Sequence, residues 1–90
     1  MKLDDKSLKY KVAGSLKTSI TGKCLYIMLY DLADEQGKIQ ISISKLSKLL
    51  NISEGAIRNN LHKLADRGYI FVREVIEEDG TRKANEYILK

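Results

Sequence analysis

Between Ser42 and Arg67 the chain carries two short amphipathic stretches, each opened by a serine and separated only by Asn51-Ile52. No other feature of its 90 residues constrains the fold as strongly. Ile43, Leu46, Leu49 and Leu50 recur at the intervals of an α-helix, with Ser42 as the N-cap and Ser44 as the alternative. Asn51 closes that helix, because asparagine tolerates the left-handed backbone found just past a helix end. Ser53 caps the next one, Glu54 complements the dipole of its first turn, and Ile57, Leu61 and Leu64 mark the buried face.

The flanking segments supply the rest of one domain. From about Thr21 to Asp34, Cys24, Leu25, Met28, Leu29 and Leu32 follow a helical period that Gly37 is placed to end. Tyr26, Ile27 and Tyr30 fall on the other side, so this helix is apolar nearly all round and needs further cover. That cover is either the stripe of Leu8, Val12 and Leu16 or a second subunit, which leaves a homodimer through the first helix and N-terminal segment as an expectation. Lys38 to Ile43 alternates as a short strand does, with Ile39, Ile41 and Ile43 on one side. Gly68 ends the Ser53 helix. Tyr69 to Ile76 and Ala84 to Leu89 then read as strands joined at Asp79-Gly80, a two-residue turn in which both central positions need positive φ. The expected order is helix, strand, helix, helix, hairpin over residues 20–90, preceded by residues 1–19 as a basic arm or short helix.

Composition excludes several classes of function. Ninety residues bury one modest core, and no nucleophile with a base, nor paired carboxylates around a cleft, is visible, so an enzyme is not expected. One cysteine and one histidine make neither an internal disulfide nor a four-ligand zinc site. Cys24 is expected in the core, and no cofactor or small-molecule ligand is expected. The longest apolar stretch, Cys24 to Tyr30, is far short of the roughly 20 residues of a membrane span. With no signal-peptide run at the N-terminus, a cytoplasmic location is expected. The net charge of +4 is concentrated in residues 1–23, where Lys2, Lys6, Lys9, Lys11, Lys17 and Lys23 outnumber Asp4 and Asp5. The remaining ten basic and ten acidic residues cancel, so a nucleic-acid footprint there depends on how charge is distributed.

The Ser42 and Ser53 helices together form a helix-turn-helix signature, with Ile52 plugging the angle between them. The second helix then stands proud of the core and turns Glu54, Gly55, Arg58, Asn59, His62 and Asp66 outward. Arginine bonds guanine bidentately, asparagine does the same for adenine, and Gly55 lets the backbone approach a duplex closely. Residues 42–70, SISKLSKLLNISEGAIRNNLHKLADRGYI, resemble the core of bacterial winged helix-turn-helix domains of the MarR-like and GntR-like kind and of some plasmid and phage replication initiators. The likeness includes the Leu64, Gly68, Tyr69, Ile70 exit and extends over roughly residues 20–89.

The resemblance implies an α+β winged helix-turn-helix fold, a three-helix core with a short strand and a C-terminal β-hairpin wing, that binds double-stranded DNA through a recognition helix at residues 53–67. It implies major-groove contacts by Ser53, Gly55, Arg58, Asn59 and His62, phosphate contacts by Ser42, Ser44 and Lys45, and wing contacts by Arg82 and Lys83. Transcriptional regulation is the expected role; the alternatives are a replication initiator's DNA-binding domain or a protein-interaction module. One departure is the run Glu77, Glu78 and Asp79 opening the wing, since carboxylates facing phosphate repel it. These three lack the spaced oxygens and turn glycine of a calcium loop, so they read as a solvated hairpin tip.

Overall fold

The computed structural model describes residues 11–90. Leu8, the lysines at 2, 6 and 9, and the first half of the expected basic arm lie outside them. Residues 11–15 are helical (α1), followed by α2 (Ile20–Leu32), β1 (Lys38–Gln40), α3 (Ile43–Leu50), α4 (Glu54–Asp66), β2 (Ile70–Ile76) and β3 (Arg82–Leu89). This is the α+β winged-helix architecture expected from the sequence. The sheet has strand order β1-β3-β2 and is antiparallel throughout, with Ile39 opposite Tyr87 and Tyr87 opposite Val72.

Helices α2, α3 and α4 each begin at a serine cap. Ser19 Oγ accepts from Gly22 N, Ser42 Oγ from Lys45 N and Ser53 Oγ from Ala56 N, each satisfying one amide that a helix start leaves without an intrahelical partner. Asn51 ends α3 at φ 55, ψ 45, the left-handed conformation expected of it. Ile52, packed half-buried against the core, sets the turn into α4.

The core gathers Leu25, Tyr26 and Leu29 of α2, Leu46 of α3, Ile57, Leu61 and Leu64 of α4, and Ile70 and Tyr87 of the sheet. Ala13 and Leu16 complete it from the N-terminal side, so the chain's own segment supplies cover for α2.

Several sequence expectations are corrected. Cys24 is exposed rather than core, and Tyr26 is buried in its place. In a helix apolar on all sides the neighbouring stripes have nearly the same period, and the buried one runs through Gly22, Leu25, Tyr26 and Leu29. Leu32 and Leu49, also expected inside, are about half exposed. Helix α2 stops at Leu32, before Asp34. Asp34 instead caps the following turn by accepting from Gln36 N and Lys38 N, and Gly37, at φ 78, lies in that turn rather than at the helix end.

Strand β1 ends at Gln40, although Ile41 N still reaches Asn85 O at 3.3 Å. The hairpin also differs from a two-residue turn. Glu77 O accepts from Gly80 N and Glu77 N donates to Thr81 O, so three residues form the loop and only Gly80 takes positive φ, at 87°. Between Arg73 and Val75 the register slips: Ala84 and Asn85 of β3 both face Glu74, a β-bulge at the base of the wing.

Candidate nucleic-acid interface

Helix α4 is held from beneath by its buried side and presents the rest to solvent. Ile57, Asn60, Leu61 and Leu64 are buried, while Glu54, Gly55, Arg58, Asn59, His62, Lys63, Asp66 and Arg67 are exposed. A Cβ added at Gly55 would meet nothing within 4 Å, so no packing within the domain calls for glycine there. His62 Nε2 lies 3.6 Å from Asp66 Oδ2 one turn later.

Seven of the ten sequence-predicted residues line two grooves, and Ser44, Ser53 and Arg82 line neither. The first, of about 620 Å³, runs between α4 and the wing. It is floored by Leu61, Val72 and Tyr87 and edged by Gly55, Arg58, Asn59 and His62. Burial pushes the Tyr87 hydroxyl above its ordinary pKa, against the opposing pulls of its hydrogen bond to Asn85 and the positive charge of Arg58. Arg58 thus acts electrostatically on the residue beneath this groove.

The second groove brings Ser42 and Lys45 from the start of α3 together with Lys83 and Ala84 of β3. The bulge holds it in shape, since Ala84 O accepts from Gln40 Nε2 at 2.9 Å. Ser42 and Ser53 each use an oxygen lone pair to cap a helix and keep the hydroxyl proton for an outside acceptor. Ser44 is exposed in the first turn of α3.

The wing differs from the simple picture of free cations. Arg82 Nη2 lies 3.6 Å from Glu74 Oε2, and Lys83 Nζ lies 3.2 Å from Glu77 Oε1. Both wing cations are therefore shared with carboxylates of their own hairpin. Exposed pairs of this kind are weak and exchange partners easily.

Asn60, Lys63 and Arg67 were not singled out from the sequence. Asn60, 7% exposed, is the buried polar residue of the core: its Nδ2 donates to Ala56 O at 2.8 Å, and its Oδ1 accepts from Ser19 Oγ at 2.9 Å. The link ties α4 to the N-cap of α2. The signal was present in the spacing, because position 60 falls between Ile57 and Leu64 on the buried side of a helix. Lys63 and Arg67 follow Asn59 and Lys63 by one turn each and continue the exposed side.

Two capped helices in tight sequence, the second standing out beside a β-hairpin, define a helix-turn-helix domain with a wing. A family model described as a helix-turn-helix domain matches residues 21–70, more than half of the chain. The protein belongs to that helix-turn-helix family. No curated protein and no solved structure gave a significant match. Among the described residues, no helix is long and apolar enough to cross a membrane, and no group of three or more His, Cys, Asp or Glu side chains is arranged to hold a metal ion.

Proposed function

We propose that the protein is a sequence-specific double-stranded DNA binder that acts as a transcriptional regulator, with α4 read into the major groove. The observation that carries this reading is the sidedness of α4: Ile57, Leu61 and Leu64 anchor it, while Gly55, Arg58, Asn59 and His62 form a continuous solvent-facing surface. Arg58 and Asn59 are the base readers, since each matches the donor and acceptor pattern of a purine edge. Gly55 permits close backbone approach, Ser53 and His62 add polar contacts, and Ser42, Ser44 and Lys45 take backbone phosphate. Arg82 and Lys83 reach phosphate from the wing, at the expense of their pairing with Glu74 and Glu77.

Titration of labelled duplexes at several salt concentrations tests these roles. Arg58→Ala should lose about 1–3 kcal/mol on a preferred sequence and relax one base position, whereas Lys45→Ala should weaken all sequences alike and reduce the salt slope by about 1. Unchanged affinity in both variants would reject the assignment.

A further inference from the structure

We propose that Lys17, Lys63 and Arg67 form a backbone-phosphate clamp on the side of α4 away from the wing. The proposal rests on the DNA-binding reading and adds to it a site that the helix-turn-helix pattern did not indicate. Lys17 comes from the connection between α1 and α2, Lys63 from α4 and Arg67 from its C-cap, and together they line one groove of about 590 Å³ with Thr18, Ser19 and Asp66. Asp66 also lines the wing-side groove, so it sits on the crest of α4 with one groove on each flank. Three cations against one carboxylate leave this flank with a charge of +2, and the Asp66 carboxylate lies 3.6 Å from His62.

Both halves of the groove are held in place. Lys17 N donates to the Tyr69 hydroxyl at 3.0 Å, and Ser19 Oγ bonds Asn60 of α4 at 2.9 Å. Among the described residues, the ion pairs formed are those of His62, Arg73, Arg82 and Lys83, and none of them involves Lys17, Lys63 or Arg67. A helix about 10–12 Å across fills a major groove about 12 Å wide, which brings a phosphate strand against each flank. On the wing flank Arg82 and Lys83 are paired with Glu74 and Glu77; on this flank none of the three cations is paired with another described residue. The ligand that fits is the phosphodiester backbone of the duplex already seated on α4.

The test compares duplex binding by the wild type, the triple variant Lys17→Gln, Lys63→Gln, Arg67→Gln, and a control, Lys38→Gln with Lys90→Gln, two residues beside Ile88 and Phe71 on the outer face of the sheet. Each lost phosphate contact flattens the dependence of log K on log salt by about 0.9. The triple variant should therefore lose about 2–3 from the slope, equally on all sequences, with the control unchanged and thermal midpoints preserved. If the triple variant folds poorly, Lys63→Gln alone should lose about 0.9. Salt-dependent binding by the wild type with an unchanged slope in the variants overturns the clamp and leaves the DNA reading standing. No salt-dependent duplex binding by the wild type overturns both.

Discussion

Asn60 shows how a single polar side chain fixes α4 against the N-terminal side of the domain. It is nearly enclosed, yet each end of its amide is satisfied, one by the Ala56 carbonyl and the other by the Ser19 hydroxyl. Ser19 in turn caps α2 through Gly22 N at 3.1 Å. Gly22 is required for this closeness: a Cβ there would lie 2.5 Å from Thr18 Oγ1 and 3.3 Å from Asn60 Oδ1. Asn60→Ala should destabilise the domain by about 1–3 kcal/mol, because it removes both hydrogen bonds of a buried amide, the one to Ala56 O and the one from Ser19 Oγ. Denaturant unfolding measures this, and the double variant with Ser19→Ala should lose less than the sum of the single changes if the pair is coupled. Strict additivity would show that the two side chains act independently.

At the scale of the element, the wing and α4 differ in how their charges are used. The wing holds Arg82 beside Glu74 and Lys83 beside Glu77, whereas the exposed side of α4 keeps Arg58 and Lys63 outside any ion pair among the described residues. Glu74→Gln with Glu77→Gln should release both wing cations and tighten duplex binding several-fold at low salt, with a steeper salt dependence. Unchanged binding would mean that the wing stays off the duplex.

The same contrast explains what sequence patterns reveal. Helices α3 and α4 were readable from Ser42, Asn51 and Ser53 because capping is a local requirement with few residue solutions. The buried stripe of α2 was not, since an all-round apolar helix offers several equivalent faces and only tertiary packing chooses Tyr26 over Cys24. Pairings across the wing depend on the bulge opposite Glu74, a long-range register that no local pattern encodes.

For the molecule as a whole, the titrating groups define a stability plateau. Burial, reinforced by the neighbouring Tyr30, raises the pKa of Tyr26, and burial raises that of Tyr87, both from an ordinary value of 10.0. The folded state holds these protons more tightly, so their contribution is complete below pH 10 and is lost as the pH rises through the raised values. Asp34 and Asp79 shift the other way. Amide hydrogen bonds from Lys38 and Gln36 lower Asp34, and hydrogen bonds from Thr81 lower Asp79, both from 3.8. Their contribution is present above about pH 4 and disappears as the pH falls through the lowered values. Unfolding midpoints should accordingly be flat near neutrality and fall at both ends; a midpoint that rises above pH 10 would contradict the burial of the two tyrosines.

The presence of α4 at the DNA is tested most directly by following backbone amide NMR signals as duplex is added. The expected result is that the largest shifts fall on Ser53 to Arg67 and the start of α3, with Phe71, Ile88 and the rest of the outer sheet face unmoved. Shifts confined to that outer face, with Arg58 and Asn59 undisturbed, would contradict it.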